Sequence, residues 1–142
     1  MTTKQYLSQV ERLNKTIENK IMEANQIRSM VCNISSPMES DRVQTSHNYD
    51  KLGDRIAKLV DIETELAELI DSLIKKRQHI INQIDKMDKK EHYLILTYKY
   101  VQFMEFKEIF LKMCISERSM YSIYGQALKC FEHMYGEEYL KL

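Results

Sequence analysis

Very little in this chain breaks a helix. Its 142 residues include one proline and three glycines, too few for the tight turns that sheets of short strands require. Three glycines also leave no material for a phosphate-cradling loop. Cys32, Cys114 and Cys130 are odd in number and widely spaced, which argues against a disulfide framework or a zinc site. Their apolar sequence neighbours predict reduced, partly buried thiols. His47, His79, His92 and His133 are scattered, with no HxxxH, HExxH or CxxC spacing, so no metal, no cofactor and no catalytic site is expected. His79 and the pair Glu91-His92 sit in helical charge patterns that predict solvated side chains. No run approaches the roughly 18 apolar residues of a membrane span. The polar start MTTKQYLSQ is not a signal peptide. Net charge is zero, which removes any global electrostatic argument for nucleic acid.

What the chain does contain is helical periodicity in two styles. Apolar residues at 44% and charged residues at 30% describe a soluble folded chain. Of nine tyrosines and four phenylalanines, only Tyr6 and Tyr49 precede residue 88. An aliphatic, charge-rich segment 1–88 therefore precedes an aromatic-rich module 89–142. In the first segment Tyr6, Val10, Leu13, Ile17, Lys20, Ala24, Ile27, Val31 and Ile34 alternate spacings of four and three. Leu52, Ile56, Leu59, Glu63, Leu66, Ile70, Leu73, Arg77, Ile80, Ile84 and Met87 do the same. Such seams predict two long helices paired as a coiled coil. Residues 35–49 are polar, hold the only proline, and read as a loop, so the helices fold back antiparallel.

A register follows from the polar members of the seams. Setting Lys20 opposite Glu63 and Tyr6 opposite Arg77 pairs the charges, whereas a slip of one heptad leaves them facing isoleucine. The favoured register leaves Ile80, Ile84 and Met87 without partners on the first helix. Val60, Ile62, Ala67 and Leu69 widen the apolar stripe further. Ile80, Ile84 and Met87 either dock on the aromatic C-terminal module or pair with a second chain, and the widened stripe predicts that the hairpin forms a homodimer, as in a four-helix bundle.

The C-terminal module divides into three helices. Asp88 and Glu91 have capping-box spacing before EHYLILTYKYV, whose Leu94, Ile95, Tyr98 and Val101 should point inward. Phe106, Ile109, Phe110 and Met113 form the stripe of a short helix. Cys114 and Ile115 make a turn, and Ser116 is placed to cap a longer helix. On that helix Met120, Ile123, Tyr124, Ala127, Phe131 and Met134 fall on one side. Arg118, Ser122, Gly125, Gln126 and Lys129 fall opposite, with Tyr121 at the border. Gly136 should end the helix, leaving EEYLKL as a short acidic tail. Gly125 costs about 1 kcal/mol inside a helix, and on an open face it permits another backbone to approach closely. Two helices joined so tightly form either a helical hairpin or a DNA-reading helix-turn-helix, and periodicity does not choose between them.

Glu108-Ile109, Met113-Cys114-Ile115-Ser116, Met120, Ile123 and Ala127-Leu128 resemble the signature of sigma-70 region 4. Lys99-Tyr100-Val101-Gln102, Phe106-Lys107-Glu108-Ile109, Ser116-Glu117-Arg118-Ser119-Met120-Tyr121 and Gly125-Gln126-Ala127-Leu128 resemble a family from phages, prophages and mobile elements of Gram-positive bacteria. That family is similar to the ArpU/RinA-type late transcriptional regulators. Residues 4–13 and 36–60 resemble it as well. Lys99 stands where the family usually has Arg, Phe106 where it often has Trp, and Cys114 where sigma factors have Gly. The resemblance implies an all-α chain: a long antiparallel helical hairpin, then a sigma-70 region 4-like helix-turn-helix.

The function expected from this reading is a DNA-binding transcriptional regulator, not an enzyme, in the cytoplasm of a bacterial host cell. Double-stranded DNA is the expected partner, with RNA polymerase a further one that the sigma resemblance implies. Arg118, Ser119, Tyr121 and Ser122 are placed to touch base edges or flanking phosphates. Gln126, Lys129, Lys107 and Lys112 should contact phosphate. Tyr98, Tyr100, Phe103 and Phe106 suit a core better than a base-stacking platform. The competing reading is a protein–protein adaptor acting on polymerase or a phage protein without touching DNA, which the zero net charge favours. A purely structural coiled coil would not require the sigma-like residues.

Overall fold

A computed structural model describes the backbone of residues 1–35 and 46–142, and the side chains of residues 1–33 and 51–142. Every regular element among the described residues is helical: α1 (Thr3–Ser35), α2 (Ser46–Asp85), α3 (Lys90–Leu96), a π-helical turn (Thr97–Val101), α4 (Phe106–Lys112) and α5 (Glu117–Tyr139). The expected all-α class is therefore observed. Most of the expected loop 35–49 lies outside the described residues, but Ser35 closes α1 and 46–49 already belong to α2. Contacts divide the chain into two compact units, Met1–Lys15 with Lys75–Leu142, and Thr16–Ile74. The change in composition near residue 88 does not coincide with either division.

In the unit Thr16–Ile74, Ile17 and Leu66 are the buried apolar residues among those described, while Ile21, Val60, Ile62 and Leu69 are exposed. The expected pairing of Lys20 with Glu63 is not formed. Arg28 Nε donates to Glu63 Oε1 at 2.8 Å, and Lys20 pairs within its own helix with Glu23 at 3.0 Å. The register is thus displaced by about one heptad from the expected one. The expectation treated Lys20 and Glu63 as buried charges. Here the Lys20 and Glu63 side chains stay 34% and 25% exposed and each has an ion partner, so the penalty of an unpaired buried charge does not arise.

The other unit shows what the displaced register accomplishes. Asn14 Oδ1 accepts from the Arg77 guanidinium, and Tyr6 donates through its hydroxyl to Gln83 Oε1 at 2.8 Å, not to Arg77. Ile80, Ile84 and Met87, expected to lack partners on the first helix, are buried in one core with its Tyr6, Leu7 and Val10 as well as with the C-terminal module. Burying each such side chain contributes about 1.5–3 kcal/mol, more than the exposed ion pair that the other register would add. Ile95 and Leu96 of α3, Ile109 of α4, and Met120, Ala127 and Phe131 of α5 complete this core with no exposure.

Several local expectations are corrected here. Helix α5 runs through Gly136 to Tyr139, and the residues expected to form an acidic tail instead form a clasp. Tyr139 is fully buried, stacks on Tyr6 at 4.3 Å between ring centroids, and its hydroxyl lies 3.0 Å from Thr3 Oγ1. Thr3 also donates to Glu132, while Glu138 accepts from Gln83 and meets His79 at 3.1 Å. The His79 contact holds the Glu138 carboxyl below its ordinary pKa. At Gly136 the absence of a Cβ leaves room for the Leu140 side chain, whose Cδ1 would otherwise lie 2.9 Å from it.

The inner stripe drifts along α5 to Tyr135 and Tyr139, leaving Met134 exposed. A helix of 3.6 residues per turn slowly rotates any line of i, i+4 contacts. His92 is buried, not solvated. Asp88 does not cap α3: the N-cap is Lys89, without a side-chain bond. All three cysteines are exposed, not partly buried. The π-helical turn Thr97–Val101 places an extra residue in its coil, which the sequence did not announce, and Tyr100 lies in the core as expected.

Candidate nucleic-acid interface

The junction of α4 and α5 is built around a left-handed residue. Cys114 has φ 56°. Its amide donates to the Leu111 carbonyl at 3.2 Å, and the Ile115 amide donates to the Phe110 carbonyl at 3.2 Å. These two bonds form a Schellman motif, the C-terminal stop that glycine usually makes. Ile115 and Phe110 both pack on the core, the apolar contact that accompanies the motif. Cys114 thus holds the left-handed conformation that Gly tolerates best.

Beyond the turn, Ser116 caps α5 as expected: its Oγ accepts from the Ser119 amide at 3.2 Å. The cap satisfies one orphan amide of the first turn and sharply defines where α5 begins. Met120, Tyr124, Ala127 and Phe131 face inward, and Ile123 is half-buried against the same core. α5 is held by α3 and α4. Burial of Tyr100 and Tyr124, whose hydroxyls meet at 2.5 Å, raises both phenol pKa values.

All eight side chains expected to meet DNA, Arg118, Ser119, Tyr121, Ser122, Gln126, Lys129, Lys107 and Lys112, are exposed. They differ in freedom. Ser119 Oγ accepts from the Ser116 hydroxyl at 2.9 Å. Tyr121 leans on Phe106 with ring centroids 5.3 Å apart, and Lys112 sits 4.9 Å over the Tyr98 ring. A Cβ added at Gly125 would meet nothing within 4 Å, so this face is open beside the glycine. Among the described residues, none of Lys107, Lys112, Arg118 and Lys129 forms an ion pair. The aromatic residues of the approach to α4 are divided. Tyr100 is core, Tyr98 and Phe106 are half-buried, and Phe103 is exposed with φ 57°.

Two cations of this unit escape a reading by periodicity, because only folding brings them to aromatic rings. Lys99 Nζ lies 4.2 Å over the Phe106 ring, and Lys4 Nζ lies 5.8 Å from the centroid of Tyr124. Among the described residues no group of three or more His, Cys, Asp or Glu could hold a metal ion.

No curated protein and no solved structure matches the chain. Residues 30–132 match a family model described as a protein of unknown function, DUF1492, and the chain belongs to that family.

Proposed function

We propose that this protein is a DNA-binding transcriptional regulator of a phage, prophage or mobile element, and that α5 reads promoter DNA as the second helix of a sigma-70 region 4-like helix-turn-helix. The observation that carries this reading is the outer face of α5. Arg118, Ser122, Gln126 and Lys129 are exposed beside an open glycine, directly after a Ser-capped turn. Guanidinium, hydroxyl and carboxamide groups are the donors that base edges and phosphates accept from. The N-terminal end of such a helix is the part that enters a major groove.

Few cations face outward, so a single module has a weak salt-dependent attraction to DNA. Pairing of two copies supplies a second module. The unit Thr16–Ile74 supports this: Ile21, Ala24, Ala67, Ile70 and Ile74 line a groove bordered by Asn25, Arg28, Glu63 and Asp71, and Val60, Ile62 and Leu69 are exposed as well. A second copy of this chain is the occupant we assign to that face. Sedimentation at micromolar concentration should give a dimer, and a monodisperse monomer would rule the pairing out.

The direct test is a gel shift with duplexes from upstream of the protein's own gene and of neighbouring late genes, at two salt concentrations. Arg118→Ala should weaken specific binding by about 1–3 kcal/mol. Absence of any shift would displace this reading in favour of an adaptor that binds polymerase or a phage protein.

A further inference from the structure

Some cations of the compact unit meet carboxylates, and others, Lys112 over Tyr98 at 4.9 Å among them, meet aromatic rings. Lys15 and His79 meet the carboxylates of Glu11 and Glu138. Lys4 and Lys99 form no ion pair among the described residues, and each lies against an aromatic ring instead. The rings are themselves connected. Phe106 meets Tyr124 edge-on at 5.2 Å and Tyr121 at 5.3 Å. Lys99, Phe106, Tyr124 and Lys4 therefore make one continuous ladder, with exposed Tyr121 attached at the border of the outer face of α5.

The chemistry of this arrangement differs from that of an ion pair. A carboxylate neutralises a lysine and must be displaced before an anion can bind. An aromatic face attracts the ammonium while leaving its charge intact, and the ammonium keeps N–H donors for another acceptor. Packing on the ring also removes rotamer freedom in advance, freedom that a loose surface lysine would lose only on being ordered by a ligand. The result is a pair of pre-placed, unneutralised cations on connected rings. A phosphodiester, which presents anionic oxygens without a shape for bidentate capture, is the ligand such point charges suit.

We propose that Lys99 and Lys4, held on the Phe106–Tyr124 ladder, form a second phosphate-contact site that grips the DNA backbone on the Tyr121 side of α5. This deepens the DNA-binding reading and rests on it. Base edges fall to Arg118 and Ser122, while the ladder contributes affinity that is independent of sequence. Lys99 and Lys4 lie far from α5 in the chain, so the site exists only once the unit is folded.

The test uses the full chain and fluorescence anisotropy with two labelled duplexes, one from upstream of its own gene and one of unrelated sequence, over a range of potassium chloride concentrations. Lys99→Gln and Lys4→Gln should each lower the slope of log affinity against log salt by about 1 and weaken both duplexes equally. Lys99→Arg should keep the slope, and Lys58→Gln, in the other unit, should not change it. Lys4 is an exposed first-turn residue, so Lys4→Gln remains decisive even if Lys99→Gln lowers stability. A wild-type slope in Lys4→Gln and in folded Lys99→Gln would overturn the ladder site and leave the α5 reading standing. Loss confined to the cognate duplex would also overturn it, because that marks base reading. Failure of the wild-type chain to bind either duplex would overturn both readings.

Discussion

Replacing Cys114 by glycine should stabilise the protein, and the size of the effect can be worked from one angle. At φ 56° an L-residue carries a strain of roughly 1–2 kcal/mol from its Cβ, which glycine lacks. Glycine also enlarges the unfolded ensemble, an opposing effect of about 0.5–1 kcal/mol. No burial is lost, because the side chain is exposed and its thiol meets only the Lys112 carbonyl, at 4.0 Å. The balance is a gain of about 0.5–1 kcal/mol, or roughly 2–4 °C in Tm for a chain of this length. Cys114→Val should move the other way by about 1 kcal/mol or more, since a β-branched residue fits this region poorly. Urea denaturation followed by circular dichroism reads both variants, with m unchanged. Under the proposed DNA-binding function, affinity of the folded protein for DNA should stay the same, because neither change touches the outer face of α5. A lower midpoint for Cys114→Gly, or an unchanged one for Cys114→Val, would refute the assignment of a Schellman turn at this residue.

Tyr139→Ala should destabilise the protein by about 3–5 kcal/mol, because it empties a fully buried site against Tyr6; a midpoint like that of the wild type would show that the C-terminal clasp does not form. Alkaline titration offers a second check. Burial raises the Tyr6 pKa to about 12 and raises those of Tyr100, Tyr124 and Tyr139. The folded state therefore holds these protons more tightly than the unfolded state. The associated stability is complete below roughly pH 10 and is lost as pH climbs through the folded-state values. Tyrosinate absorbance should show these residues ionising late and together with unfolding, and ionisation of all nine tyrosines near pH 10 with the fold intact would contradict their burial. Thr97→Val should be neutral or stabilising by up to about 1 kcal/mol, since Thr97 Oγ1 is buried without a hydrogen-bond partner among the described residues; thermal melting well below the wild type would indicate a role for that hydroxyl.

Where local rules act alone, the pattern along the chain was enough. The start of α5 at Ser116 and the inward placement of Met120, Tyr124, Ala127 and Phe131 follow from a cap and a period, and both are observed. Exposure of Arg118, Ser122, Gln126 and Lys129 follows from the same wheel. Cys114 was legible only as a misfit, a residue with a Cβ standing where a turn wants none. Gly136 misled: glycine often ends a helix, but here it gives Leu140 room while α5 continues. His92 misled as well, whereas the core placement of Tyr100 was expected and is observed. A histidine in a charged stretch reads as wet, and no period anticipates a π-helical turn.

A scarcity of proline and glycine, together with unbroken seams of three and four, was sufficient to make this an all-helical chain, because helix formation is decided by neighbours within a turn or two. The register of α1 on α2, the seating of Tyr139 beneath Tyr6, and the meeting of Lys99 and Lys4 with their rings came from the tertiary structure alone. Each depends on which distant surfaces bury most apolar area together. That quantity belongs to the packed molecule, and flexible charged side chains can adjust to whichever packing prevails.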